Sequence, residues 1–348
     1  MKQVKIKFIF LLVTFILIIQ CKKKPDQRAI QLSFEEITVP NSSIRAIYPL
    51  KDSTLFYATS DGYMGMVLPN MKNVKDKRIF YDTITPHFRA IASNGTNIFI
   101  LSVGNPALLY KLNDGELELV YKEKHEKVFY DAMAFFDEKH GIAMGDPTDG
   151  CLSVILTEDG GNTWKKIPCV KLPETVEGEA AFAASNSNIA IYKDRVWMVT
   201  GGKKSRVFRS VNRGKNWQVF DTPIISGGEM TGIYSIDFYD KKHGIIIGGD
   251  WNNKTMNTGN KAITKNGGKT WELVQDGREP GYKSCVQYVP DTGGQEVFAV
   301  GTTGISFSNN GGITWKKLSD KSYFTIRFVN KNMAWLAGDQ KIAKMVIE

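Results

Sequence analysis

Seven short strand-like segments, beginning near Ser43, Phe88, Tyr130, Glu179, Tyr234, Ser284 and Phe324, recur roughly every 40–50 residues and invite alignment. One residue in each falls at an equivalent place: Arg45, Arg89, Asp131, Glu179, Ser235, Ser284 and Thr325. If these segments are the innermost strands of a radial fold, their side chains converge on its central channel. Two guanidiniums beside two carboxylates grip a carboxylate, a phosphate or a polar protein segment. The same groups can also spend themselves on water and on one another. A slip of one residue in the alignment turns every side chain to the other face. Loops next to these strands add Asp146, Asp149, Arg206 and Asp250 as candidates at the channel rim, positions where turn residues are equally at home.

The search for other chemistry is mostly negative. There are four histidines, His87, His125, His140 and His243, and the last two occupy the same turn of a repeat, which marks them as structural. No glycine-rich phosphate loop, nucleophile elbow or dinucleotide fingerprint is present, so no cofactor is expected. The cysteines, Cys21, Cys151, Cys169 and Cys285, have no metal-like spacing, so no metal is expected. Carboxylate pairs such as Glu177 and Glu179 occur, but a glycosidase needs two at a set separation across a bond. Sequence does not supply that separation.

The elements that must hold these residues are legible from an octapeptide found four times: Thr157–Trp164, Ser210–Trp217, Thr264–Trp271 and Ser308–Trp315. Its pattern is hydroxyl, any residue, Asp or Asn, any residue, Gly, any two residues, Trp. The Asx side chain bonds backbone N–H groups further along the turn, and the glycine supplies positive φ. Tryptophan packs the hairpin onto its neighbour. A second element precedes each copy: an alternating strand, a polar turn and an apolar strand ending in glycine. Met133–Asp146 and Ile236–Asp250 are its clearest pair. Strands bounded by turns every 8–12 residues, with 32 glycines in 348 residues, predict an all-β chain. The spacing predicts a single propeller over residues 31–348, with seven blades of four antiparallel strands; six or eight are the alternatives. The last unit is short of an outer strand, and Ile30–Val39 is a strand without a unit. The N-terminal strand is therefore expected to complete the last blade and hide its edge.

Residues 1–20 read as an export signal: Lys2, Lys5 and Lys7 precede the apolar run Phe8 to Ile19, which is too short to span a bilayer. Cys21 follows at once, and Lys22-Lys23-Lys24-Pro25-Asp26 begins a solvated tether over residues 21–30. The net charge of +9 owes much to this end. Six lysines and no acid lie in residues 1–24, so the rest holds 39 basic and 36 acidic side chains, a net of +3. No nucleic-acid footprint is visible in that body. An exported compartment permits a disulfide between Cys151 and Cys169, which flank Gly160 symmetrically, and equally permits two buried thiols in adjacent strands.

Three resemblances sit on these motifs. Leu17-Ile18-Ile19-Gln20-Cys21 resembles a bacterial lipoprotein box, with Gln20 where Gly, Ala or Ser is usual. It implies lipidation at Cys21 and a membrane-anchored place in the bacterial cell envelope. The octapeptides resemble the Asp-box, or bacterial neuraminidase (BNR) repeat, of sialidases, although Asn212, Asn266 and Asn310 replace the Asp that Asp159 keeps. In that family the box is a structural hairpin on the blade periphery. A sialidase also implies an arginine triad, a Tyr nucleophile with a Glu, and an acid Asp, which are not assembled here; Phe88-Arg89-Ala90-Ile91 only faintly echoes its N-terminal motif. The boxes together with His140–Pro147, Gly178–Ser185 and Thr200-Gly201-Gly202 resemble bacterial propellers related to the photosystem II stability/assembly factor. That resemblance implies a non-enzymatic scaffold whose arginines bind a precursor protein, a part open to Arg45 and Arg89.

The sequence thus predicts an exported, lipid-anchored propeller that binds a protein or polar ligand at the channel mouth, through Arg45, Arg89, Asp131, Glu179, Asp146 and Arg206. The alternative is an enzyme on the same scaffold, either sialidase-like or the oxidoreductase that some relatives are labelled. No flavin, nicotinamide, haem or dithiol motif supports the latter.

Overall fold

A computed structural model describes residues 29–348 of the chain. The expected signal segment, Cys21 and most of the tether lie outside the described residues. Gln31–Glu348 forms one compact unit, built almost wholly of antiparallel strands arranged as a β-propeller.

Six sheets form, and so six blades, where the sequence predicts seven. The difference arises at the chain ends. Leu32–Pro49 is one continuous strand that pairs with Met333–Ile347 through Leu32↔Ile347 to Thr38↔Lys341, then with Leu55–Thr59 through Ile44↔Thr59 to Pro49↔Leu55. The expected first and last units are therefore fused into one six-stranded sheet, closed by hydrogen bonds between the two ends of the chain. Closure of this kind leaves no exposed sheet edge at the junction. A second six-stranded sheet arises because the two-residue strands Glu179–Ala180 and Gly201–Gly202 attach to Thr231–Phe238. The other four sheets have four strands each.

The core lies between neighbouring sheets. Phe99, Leu101, Met133, Ala143, Ile155 and Trp164 fill one such interface, and Trp197 stacks on Phe238 at 3.7 Å in another. The four octapeptides are hairpin turns with one bonding scheme. In the first, Thr157 Oγ1 donates to Asp159 Oδ1 (2.8 Å) while accepting from Gly161 N–H (2.9 Å), and Thr163 N–H donates to Asp159 Oδ1 (3.0 Å). Ser210/Asn212, Thr264/Asn266 and Ser308/Asn310 repeat it. Glycine is required at the fifth place for two reasons. Gly161 has φ 86°, and a Cβ there would stand 2.3 Å from the Phe99 ring on the neighbouring sheet. The turn is thus pressed against the second strand of the preceding blade.

Cys151 and Cys169 are bonded, with Cα atoms 5.6 Å apart. Continuous strand pairing is not what brings them together. The ladder holds Ile155↔Lys166, and the chain has left it by the short 3-10 turn Cys169–Lys171, across which the bond reaches. Cys285 is a free, buried thiol.

Candidate functional site

The first two strands of several blades slip by one residue at the same level. Ile44 pairs with Thr59 but Ala46 with Ala58; Phe88 pairs with Ser102 but Ala90 with Leu101; Tyr130 pairs with Gly145 but Ala132 with Met144. In the Thr231–Phe238 strand, Ile233 pairs with Gly248 but Ser235 with Ile247. Each slip is a β-bulge, which leaves one residue unpaired and re-aims its side chain. The bulged residues are Arg45, Arg89, Asp131 and Tyr234. Three of the aligned positions are therefore equivalent in space. The fourth is displaced by one, since Tyr234 takes the place assigned to Ser235.

Arg45, Arg89 and Tyr234 line a cleft of roughly 430 Å³ at one mouth of the channel, together with Asp146, Phe182, Trp251 and Tyr282. Its aromatic wall is built in contact: Phe182 stacks on Tyr234 at 4.0 Å, Tyr282 meets Tyr234 edge-on at 4.7 Å, and Trp251 meets Tyr282 at 5.4 Å. The Arg45 guanidinium lies over the Phe324 ring, 3.8 Å from its centroid. Two buried donors here, Arg45 Nε and the Tyr282 hydroxyl, have no hydrogen-bond partner. The arginines that are ion-paired among the described residues are Arg206 and Arg213, so Arg45 and Arg89 face the cleft without a carboxylate of their own.

Burial dominates the electrostatics. It lowers the affinity of Arg45 for its proton and, with Arg45 nearby, brings Arg89 down to about 10. His87 accepts a hydrogen bond from Arg89 Nε (2.7 Å) and falls to about 4, through burial and then the two guanidiniums. Burial pushes Asp146 up to about 6 against the opposing hydrogen bond from Ala181 N–H. Asp131 is 0 % exposed, and neither carboxyl oxygen has a partner. Burial, then Asp146, drives it well above the usual carboxylate range, with Arg89 opposing.

The channel is not empty. Residues 181–188, Ala-Phe-Ala-Ala-Ser-Asn-Ser-Asn, enter it from this mouth and are buried along their whole length. Arg89 Nη1 donates to the Ala183 carbonyl and Arg45 Nη1 to that of Ala184, both at 2.8 Å. Thr325 Oγ1 (3.1 Å) and Arg327 Nη2 (2.8 Å) donate to Ser185 O, and Arg327 Nη2 to Asn186 O (2.8 Å). The Asn186 amide donates to Ile91 O (2.7 Å) and accepts from Met133 N–H (2.9 Å). Ser185 donates to Ser284 O, and Ser187 to the Ser235 hydroxyl, both at 2.7 Å. The physical need is plain. Innermost strands present unpaired backbone groups to the channel, and buried N–H and C=O groups must find partners. A run of small Ser and Asn side chains fits the bore and supplies them.

This segment corrects two further readings. Glu179 does not open an inner strand; the inner strand of its blade is Ile189–Tyr192, reached only after the chain has crossed the channel. Glu179 instead pairs with Gly202 in a two-residue strand, where its carboxylate accepts from Arg206 Nε (3.0 Å) and Thr200 Oγ1 (2.6 Å). Glu179 and Arg206 thus neutralise each other away from the cleft. Ser235, Ser284 and Thr325 do reach the channel, where they hold the inserted segment. Asp146 lines the cleft. The aromatic wall and the insertion escaped sequence reasoning, although a Ser-Asn-Ser-Asn run with no β-branched residue was a usable signal. The opposite mouth has its own cleft of roughly 390 Å³, lined by Asp237, Arg327, Asn186 and Gln287 among others.

Comparison with known proteins adds the fold context. The Sortilin-Vps10 family ("Sortilin, neurotensin receptor 3") matches residues 152–290, less than half of the chain. No curated protein matches the sequence significantly. A propeller is the shared feature among solved structures. One described as "YCF48 bound to D1 peptide" has a TM-score of 0.64 at 13% identity, covering 90% of this chain and 97% of its own. YCF48 from Cyanidioschyzon merolae scores 0.62 at 14% identity, covering 90% and 98%. Selenomethionine-substituted virginiamycin B lyase from Staphylococcus aureus scores 0.61 at 12% identity, covering 91% and 99%. At these identities the likeness is one of fold.

Proposed function

We propose that this chain is an exported, lipid-anchored scaffold related to the photosystem II assembly factor propellers, which holds a segment of a partner protein over the channel mouth. The observation that carries the reading is the cleft itself. Two guanidiniums without carboxylate partners, Arg45 and Arg89, project from adjacent bulges beside a wall of Phe182, Tyr234, Trp251 and Tyr282. Arginine and aromatic side chains in a desolvated pocket are the usual anchors of protein recognition. The fold likeness to a YCF48 structure bound to a D1 peptide supports a peptide as the kind of ligand such a propeller takes. Cys21 carries the lipid in this reading, and the propeller acts at the envelope membrane without a cofactor.

A photo-crosslinking residue in place of Trp251 tests the binding site. It should capture a discrete partner from the native envelope, and Arg45→Ala with Arg89→Ala should reduce capture at least tenfold while folding is retained. Undiminished capture by the double variant would remove these arginines from the site. Metabolic labelling with a fatty acid, lost in Cys21→Ser, tests the anchor. A glycoside panel and an absorbance scan for bound cofactor separate binding from the enzymatic alternative.

A further inference from the structure

The inserted segment is held in two different ways. Ser185–Asn188 is tied to backbone groups of several inner strands, through Ile91, Met133, Ile236 and Ser284. Ala181–Ala184, the half nearest the cleft, is tied to the surrounding blades through side chains, while Ala184 N–H turns back to Phe182 O (2.6 Å). Ala181 N–H donates to Asp146 Oδ1 (2.7 Å), Ala183 O accepts from Arg89, and Ala184 O accepts from Arg45. Its own side chains are three methyl groups and Phe182, which stacks on Tyr234 in the cleft wall. Long polar side chains can exchange one carbonyl for another at small cost, since a hydrogen bond replaced in kind changes little. A strand built into a ladder cannot.

A buried, unpartnered carboxyl acts on the residues that hold this half. Asp131 interacts electrostatically with Arg89 and Asp146, the two residues that hold Ala183 and Ala181. It is fully buried, with both oxygens unpartnered. An unsatisfied buried carboxyl costs free energy that hydration would return. We propose that Ala181–Ala184 is a displaceable cover over Asp131, which swings out about Ser185 to open the floor of the mouth between Arg45 and Arg89. The inference deepens the binding reading above as regulation of that same site, but the motion itself needs no partner.

The charged groups that face Asp131 set the direction of its pH dependence. Arg89, on the strand Phe88–Ser93, favours the ionised form; Asp146, on Gly141–Pro147, and burial oppose it. His87, on Arg89 Nε, is uncharged near neutrality. The cover therefore lies more firmly over a neutral Asp131, and ionisation loosens it. Raising the pH should favour the open form.

Hydrogen–deuterium exchange on the protein alone, corrected for the intrinsic rate at each pH, reads this directly. Protection of Ala181–Ala184 should fall at least tenfold between pH 5 and pH 8, while that of the buried strand Arg195–Val199 stays constant. Asp131→Asn, which carries no charge at either pH, should reduce the dependence, leaving only what Asp146 contributes, and leave the reference strand unchanged. Constant protection of Ala181–Ala184 in the native protein, or an undiminished slope in Asp131→Asn, overturns the cover. If exchange behaves as stated but the crosslinking of partner is indifferent to Arg45 and Arg89, the cover stands and the binding reading fails.

Discussion

Arg89 Nη1 donates to the carbonyl of Ala183, 94 residues away in the chain, at 2.8 Å. A residue aligned as a ligand-gripping arginine thus already grips a peptide carbonyl, supplied by its own chain. The same holds for Arg45 and Ala184. Both arginines at the channel mouth thus hold backbone carbonyls of the inserted segment of their own chain.

Asn186 ties two blades together through its side chain. Its amide serves Ile91 O and Met133 N–H on two blades, and its backbone sits at φ 55°, which Asn tolerates better than most residues. Asn186→Ala leaves a buried acceptor and a buried donor unpaired and strains the backbone. A loss of about 3–5 kcal/mol in unfolding free energy is expected by urea denaturation. A loss under about 1 kcal/mol would mean that the segment contributes little to the ring.

Two glycines with nearly equal φ separate crowding from conformation. Gly161, at 86°, has the Phe99 ring 2.3 Å from where a Cβ would sit, whereas Gly115, at 87°, has nothing within 4 Å. Gly115→Ala should cost only the left-handed penalty, about 1–2 kcal/mol. Gly161→Ala must also push Phe99 out of the core, and should cost about 2 kcal/mol more. Equal thermal shifts for the two variants would refute the packing account of the octapeptide turn.

Asp237 predicts a pH dependence of stability. Burial raises its carboxyl to about 6, despite hydrogen bonds from Phe238 N–H (2.8 Å) and Tyr288 N–H (2.7 Å). A carboxyl raised on folding binds its proton more tightly in the folded state. Its stabilising contribution is full below the unfolded value near 4 and is lost as pH rises through 6. Asp237 is only partly buried and lines the cleft at the opposite mouth, so roughly 1–2 kcal/mol is expected rather than the full shift. The native protein should lose that much, relative to Asp237→Asn, between pH 4 and pH 7. A constant difference between the two across that range would count against the assignment.

Arg213 stands in an octapeptide turn where the other three copies have glycine, and it adopts φ 57°. Its guanidinium compensates by bridging Asp194 (2.6 Å) and Asp137 (3.0 Å) beside His140. These are exposed pairs, which salt screens. Arg213→Gly removes both the pairs and the backbone strain, so its stability relative to the native protein should rise as sodium chloride is added. A difference independent of salt would show that the bridge does not offset the strained turn.

Much of the architecture was readable in the chain because repetition is a local signal. Four octapeptides, each satisfied within eight residues by its own hydroxyl, Asx and glycine, announce hairpins wherever they occur. The alternating strands before them announce blades, and the equivalence of Arg45, Arg89 and Asp131 follows from that repeat. What the sequence did not determine is whatever depends on contacts between distant segments. The fusion of the two terminal units rests on pairings such as Leu32 with Ile347, which no local pattern encodes. The displacement from Ser235 to Tyr234 is a one-residue bulge, decided by the neighbouring strand. The filling of the channel by residues 181–188 was decided last of all. Unpaired backbone groups of several blades converge there only once the ring has closed, and only then does a Ser-Asn run become the piece that satisfies them.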